Sequence, residues 1–448
     1  MTAEDERPGG EMDAVPGARP EGVRSANPWE ERWDESDESQ PDDAAESQPA
    51  VATEVAPVET DEPPQPSQPA ALTARLATPD ELEDWDAHTV TSRTGHVYQS
   101  RAWGDYRAAH GWRTWHIVCD DGFRLLVVGR PRPVVGGGWA YATKGPIPDR
   151  DQAATAGRAA AAAELLGADG MDSFTIDGET PASARLEPLL KLAGFEPVEE
   201  VQASRHRMDI RFAPDDTPNS DEATIFASFN ATTRNNIRQA ERKGLRVLRL
   251  DVGGGRAEDS YGGGALEGFE PVDAGDTAGT EKRLRTFYGM LDATATRRGF
   301  ALASEDSFLD WAKRSLAAGH MFYLEAEDEE DGPVAGASFL RHGDRVTYSL
   351  AGDRSEIRKK HPGAVRLLVW RGIQIALDER RALFDMGGVD TEGARGRPNK
   401  GDPTYGMYQF KESFGARWVE LTGAHQRTMK PLQNLAGRVA GKLAAIRR

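Results

Sequence analysis

The 448 residues suffice for two or more domains with substantial cores. The formal charge of -18 is uneven: residues 1–70 hold 19 Asp/Glu and 4 Arg, a net of -15, so the remainder carries only -3. The acidity belongs to one end of the chain and does not exclude an anionic substrate.

That end, with DESDESQPDDAAESQPA and PVETDEPPQPSQPA, is rich in Pro, Glu, Asp, Ser and Gln and poor in apolar residues. Such a composition cannot bury enough surface to offset chain entropy, so residues 1–70 are expected to be a disordered acidic tail. It lacks the basic start and apolar run of a signal peptide. No stretch of 18 apolar residues occurs, so no membrane span is expected. Cys119 is the single cysteine, which excludes an intrachain disulfide and suits a reducing cytoplasm. The nine histidines show no metal-ligand spacing, so no metal is expected.

From about residue 71 the pattern becomes globular. SRAWGDYRAAHG reads as a helix capped by Ser100, with Trp103 and Tyr106 on one face and Gly111 past its end. WRTWHIVC and FRLLVVGR flank DDG as a hairpin. WAYAT is a strand running into Lys144-Gly145-Pro146, and a helix follows from Asp151 to Leu166. MDSFTID is a strand, ARLEPLLKLAGF a helix closed by Gly194, and RHRMDIRF a strand.

Around Asp221 a similar order begins again. SFNATTRNNIRQAERKG is helical, with Asn230 as cap and Gly244 as stop. LRVLRLDV is a strand, and a Gly-rich insertion without period follows near 253–279. Helices are expected near 281–299 and 307–318, then strands at HMFYLEAE, PVAGASFLRH and DRVTYSLAG. HPGAVRLLVWRGIQIALDERRA puts Val365, Leu368, Val369, Ile373, Ala376 and Leu377 on one helical face, with Pro362 near its first turn. ALFDMGGV is a buried strand ending in a Gly-Gly loop. Two α+β halves of similar order suggest a duplicated fold with mixed sheets, without a detectable sequence repeat.

Arg234, Arg238 and Arg242 recur every four residues and form one ridge along a helix, extended by Lys243 and Arg246. The ridge is either a solvated charged face or a phosphate site, since arginine forks pair bidentately with phosphate oxygens. Residues 421–448 contain Arg427, Lys430, Arg438, Lys442, Arg447 and Arg448 and no acid. They suit anionic headgroups or a tRNA backbone. Equally, Leu432, Leu435, Val439 and Leu443 suit a helix packed on the core. The GGG runs at 136–138 and 253–255 fit neither a P-loop nor a dinucleotide fingerprint. There is no G-x-S-x-G. Tyr141, Tyr348, Tyr405 and Tyr408 sit at strand ends beside glycines, as core or site residues.

Near the C-terminus YGMYQFKESFGARWVELTG sets Lys411 among aromatics and glycines. With VYQSRAWGDYRAAHGW, YATKGPIPD, NATTRNNIRQAERKGLRV, YSLAGDRSEIRKKHPGAVRLLVWRGIQIAL and FDMGGV, it resembles signatures of the FemABX family of non-ribosomal peptidyltransferases, in the family's order. The six segments cover most of residues 90–425. The resemblance implies two GNAT-like domains: 71–212, with 424–448 returning to it, and 213–423. The insertion near 253–279 and GARGRPNKGDP depart from the pattern by enlarging loops. The long paired-helix arm of some members is not evident.

The resemblance implies an aminoacyltransferase that moves an amino acid from aminoacyl-tRNA to the side-chain amine of a peptidoglycan precursor, in interpeptide-bridge synthesis. Lys411 then lies in the active site, where a fixed ammonium stabilises charge developing on the ester oxygen. Its competing reading is a surface lysine at a helix start. Phe410 and the tyrosines Tyr141 and Tyr348 keep the site dry and oriented. Asp149, after the Gly-Pro pair, orients or deprotonates the amine; Arg107, Arg234 and Arg238 are candidates for the precursor's diphosphate. The implied partners are aminoacyl-tRNA and a lipid-linked or UDP-linked precursor. No cofactor is implied, and a cytoplasmic monomer touching the inner membrane face is expected. The alternatives are a GNAT-type N-acyltransferase using acyl-CoA, for which no R-x-x-G-x-G loop is found, and a non-catalytic precursor- or tRNA-binding scaffold.

Overall fold

The computed structural model describes residues 68–132, 136–201, 205–212, 220–251, 269–272, 275–298, 302–389 and 396–436. The acidic tail through residue 67, most of the Gly-rich insertion and the cations from Arg438 onward lie outside the described residues.

In chain order the first half runs β1 (Ala74–Leu76), α1 (Pro79–Glu83), α2 (Trp85–Thr89), α3 (Arg101–Ala109), β2 (Arg113–Cys119), β3 (Arg124–Pro131), β4 (Gly138–Ala142), α4 (Gln152–Ala168), β5 (Ser173–Ile176), α5 (Leu186–Leu192) and β6 (Glu196–Pro197). Then come β7 (His206–Arg211), α6 (Glu222–Ser228), α7 (Ala231–Arg242), β8 (Arg246–Leu250), β9 (Glu270–Pro271), α8 (Thr277–Arg298), α9 (Glu305–Ala317), β10 (Met321–Asp328), β11 (Gly332–His342) and β12 (Arg345–Asp353). The chain closes with α10 (Ala364–Asp378), β13 (Leu383–Asp385), α11 (Tyr405–Glu412), β14 (Arg417–Glu420) and β15 (His425–Thr428).

The local signals act as expected. Ser100, Asp151 and Asn230 each accept an amide three residues on, at 3.0, 3.0 and 2.7 Å, satisfying a donor the first helical turn leaves open. Gly111, Gly194 and Gly244 take the left-handed conformation just past α3, α5 and α7.

Among the described residues the strands form two mixed sheets, so the α+β architecture is the one expected. The first has the order β1-β2-β3-β4-β5-β15-β6, the second β14-β7-β13-β12-β11-β10-β8-β9. In the first, β4 and β5 are parallel across helix α4; in the second, β12 and β13 are parallel across α10. The duplication is therefore structural.

The two sheets exchange strands. Sequence order puts 206–211 with the first half, but β7 pairs with β13 and β14 in the second sheet. In return β15, from the end of the described chain, pairs with β5 and β6 in the first. One hydrophobic core also draws on both sheets: Val118 and Leu126 from the first, Leu250, Tyr323, Leu340 and Leu350 from the second. Trp103 of α3 meets Trp311 of α9 edge-on at 5.0 Å inside it.

Two of the competing readings need correction. Leu432 and Leu435 are 84% and 61% exposed and do not pack on the core; Val439 and Leu443 lie outside the described residues. Lys411 is no surface lysine at a helix start; it occupies the last turn of α11 and is 5% exposed. Among the described residues no helix is long and apolar enough to cross a membrane.

Candidate active site

Helix α11 buries Met407, Tyr408 and Phe410, and its last turn carries Lys411 inward with them. An ammonium there faces the negative end of the helix dipole, which favours the charge. Its Nζ donates to the carbonyl of Gly388, in the loop that follows β13. Gly387 beside it has φ +74°; a Cβ there would stand 3.4 Å from Nζ and 3.7 Å from the Tyr348 carbonyl. Glycine thus serves both the left-handed backbone and the close approach.

The loop is held on every side. The Gly387 amide donates to Asp385 Oδ1 at 2.8 Å, the Met208 amide donates to the Gly387 carbonyl at 3.1 Å, and the Val389 amide donates to His206 Nε2 at 2.8 Å. The His206 ring stacks on Trp418 with centroids 3.5 Å apart. Burial, then the charges of Lys411 and Lys144, push His206 down to about 3. It is therefore neutral near pH 7, with the Nε2 lone pair its amide bond requires. Both ammoniums act on this one imidazole.

Lys144, half-buried at φ +54°, leads to a second cluster. Its amide and the Tyr141 hydroxyl both donate to Asp177, just past β5. Its Nζ lies 3.8 Å from Asp177 and 3.9 Å from Glu179. Glu179 also pairs with Arg345 of β12 and, at 3.6 Å, with Arg207 of β7. Burial opposes its charge, but the cations, Arg345 foremost, hold the carboxyl well below the ordinary range. Arg207 Nε donates to both Asp209 oxygens, at 2.9 and 3.0 Å. Burial, with the neighbouring Asp385 carboxylate, raises Asp209 to about 6. Opposed charges thus run from Asp177, beside the first sheet, through Lys144, Glu179 and Arg207 to the carboxylates Asp209 and Asp385 of the second, and Asp385 holds the loop touched by Lys411.

Of the sequence candidates, Lys411 reaches this loop with its ammonium and Tyr348 with its main-chain carbonyl, while Phe410 is buried in the adjoining core against Phe414, 5.4 Å between centroids. Arg107 and Tyr141 form a second group. The Arg107 guanidinium lies 3.7 Å over the Trp112 ring and 5.3 Å over Trp103, and its charge acts on the Tyr141 phenol. That phenol is pushed well above its usual value by burial and by Asp177. The contacts of Asp149 lead elsewhere: it is exposed and pairs at 2.7 Å with Arg158 of α4, which also holds Asp121 at 2.8 Å. Burial of the Asp149 carboxyl works the other way, but the Arg158 bond brings it below its ordinary range. Arg234 donates from the single nitrogen Nη1 to the carbonyls of Ala227 and Phe229, at the α6–α7 joint. Arg238, exposed, lies 5.3 Å over Phe226. A cavity of about 370 Å³ beside Arg205, Glu420 and Thr422 is lined by none of these residues.

Lys144, Asp177, Glu179, His206, Arg207, Asp209, Arg345 and Asp385 were not singled out from sequence as site residues. One signal pointed to two of them: FTID and LFD are apolar runs closed by an acid, at matching places in the two halves, next to the strands β4 and β12.

The FemAB family matches residues 309–442. Among solved structures the chain is similar to FemX, with a TM-score of 0.63 at 16% identity over 81% of this chain and 99% of FemX. It is also similar to L-PGS from Bacillus licheniformis, with TM-score 0.44 and 13% identity over 81% of this chain and 97% of that one. A tandem GNAT protein from the clavulanic acid biosynthesis pathway gives 0.37 and 12% over 80% and 98%. No curated protein matches the chain. The FemAB match, which spans the last three of the six segments, and the fold shared with FemX bear out the family resemblance.

Proposed function

We propose that this chain, with its FemAB match over residues 309–442 and the fold of FemX, is a tRNA-dependent aminoacyltransferase that extends the side-chain amine of a peptidoglycan precursor. The observation that carries the reading is the buried ammonium of Lys411, fixed on the Gly387–Gly388 loop. The acceptor nitrogen bonds to the ester carbonyl carbon and the carbon–oxygen bond to the tRNA ribose breaks. The proton lost by the amine ends on the departing ribose oxygen. Negative charge develops on the ester oxygen before that bond breaks, and Lys411 stabilises it in surroundings with little water. The ester is already activated, so no enzyme nucleophile is needed, and positioning of two large substrates supplies much of the rate.

Phe410, Tyr348 and Tyr141 line and dry the site in this reading, and Arg107, Arg234 and Arg238 serve the precursor's diphosphate. Asp149 orients the amine once its pair with Arg158 opens. The chain works as a monomer in the cytoplasm, on lipid-linked or UDP-linked precursor.

The test is transfer of labelled amino acid from a mixed pool of aminoacyl-tRNAs to UDP-linked pentapeptide, read by mass spectrometry. A product heavier by one aminoacyl residue, lost with Lys411→Ala, is the expected result. Acylation from acyl-CoA with none from aminoacyl-tRNA would overturn the reading in favour of an N-acyltransferase. No transfer with retained precursor binding would favour a scaffold.

A further inference from the structure

The histidines carry no metal spacing along the chain, yet folding brings His361 to two carboxylates of the β10–β11 turn. Asp328 ends β10, and its Oδ1 accepts the amides of Glu330 and Asp331, both at 3.1 Å. That fixes the turn and leaves Oδ2. His361 arrives from the segment before α10 and is 4% exposed. Its Nε2 lies 2.6 Å from Asp331 Oδ2, a hydrogen bond from imidazole to carboxylate. Lys360 also pairs with Asp331, at 2.7 Å.

With the hydrogen on Nε2, Nδ1 holds a lone pair. That nitrogen is buried and has no hydrogen-bond partner among the described residues. It faces Asp328 Oδ2 at 3.8 Å, too far for a hydrogen bond. Two acceptors face each other there, an arrangement that calls for positive charge between them. Zinc-like ions take imidazole nitrogen and carboxylate oxygen at about 2.0–2.2 Å, so a bent N–metal–O unit spans such a gap. A carboxylate on the far N–H is also the usual partner of a metal-bound imidazole, fixing its tautomer.

We propose that His361 Nδ1 and Asp328 Oδ2 bind a divalent transition-metal ion of the zinc type, with Asp331 as the positioning residue for the imidazole. Water completes the coordination shell. The ion ties the β10–β11 turn to the entry of α10, where Gly363, at φ +83°, backs onto the Asn236 carbonyl of α7. It stiffens the joint between hairpin, α10 and α7.

The experiment uses the untagged full chain, stripped by chelator. It is titrated with zinc chloride by calorimetry, and with cobalt(II) by visible absorption. One saturable site per chain is expected, with a cobalt band and a rise in Tm of about 3 °C at saturating zinc. Asp328→Asn and Asp331→Asn, folded by circular dichroism, should each bind at least about tenfold more weakly. The absence of saturable binding by the parent chain would overturn the proposal. So would folded variants that bind as the parent does. Should a variant fail to fold, the other variant and the parent's cobalt spectrum decide.

Discussion

His206 and Val389 are joined by one 2.8 Å hydrogen bond in which the backbone amide donates to imidazole Nε2. The bond exists only while the ring is neutral, and two other buried histidines share that condition. Burial foremost holds His96 at about 3 and His342 well below its ordinary value. In the unfolded chain each titrates near 6.5, so below that pH the unfolded state binds more protons and stability falls. Asp209, raised to about 6, acts in the opposite sense. These four groups together predict a loss of roughly 3 kcal/mol between pH 7 and 5.5. Urea midpoints across that range check it; a flat profile would exclude neutral histidines in the fold.

Lys411→Ala should lower transfer by about 100-fold or more, the scale of one oxyanion-stabilising group. It also orphans the Gly388 carbonyl, so a stability loss of about 1–3 kcal/mol accompanies it. Single-turnover rates on folded protein separate the two effects. A variant that transfers at the parent's rate would remove Lys411 from the chemistry.

Among the described residues, Glu179 is the one carboxylate that pairs with Arg345, Arg207 and Lys144 together. Glu179→Gln leaves three buried cations short of a counter-charge, and a loss of about 3–5 kcal/mol is expected. Chemical denaturation measures it. A change below about 1 kcal/mol would mean that water already screens the cluster.

Arg234→Lys keeps the charge but loses the Nη1 group that donates to the Ala227 and Phe229 carbonyls. A destabilisation of about 1 kcal/mol is expected. With the guanidinium also assigned to the precursor's diphosphate, KM for the precursor should rise; an unchanged KM would confine Arg234 to the fold.

What could be read in advance was local. Caps at Ser100, Asp151 and Asn230 and stops at Gly111, Gly194 and Gly244 depend on a few neighbouring residues, so those helices are legible in the sequence. Helix α11 was harder, because Thr404 makes no side-chain cap bond and the aromatics gave no clear period. Lys411 was singled out, but its burial in a last helical turn was not. The charge line from Asp177 to Asp385 was invisible, since the residues of its Glu179–Arg345 pair stand 166 apart. No periodicity reports a pairing at that distance. The same holds for Asp328 and His361, which meet only because a hairpin turn folds back on the loop before α10.

The exchange of β7 and β15 bears on how the protein is made. The first sheet stays without the strand between β5 and β6 until residue 428 has left the ribosome, and β7 waits for β13 until residue 385 and for β14 until residue 420. Neither half closes as it emerges, so exposed strand edges persist through most of synthesis, a period in which chaperone protection matters. Once both strands are seated, neither half unfolds without breaking the other's ladder, and a single cooperative transition on heating is the signature to look for.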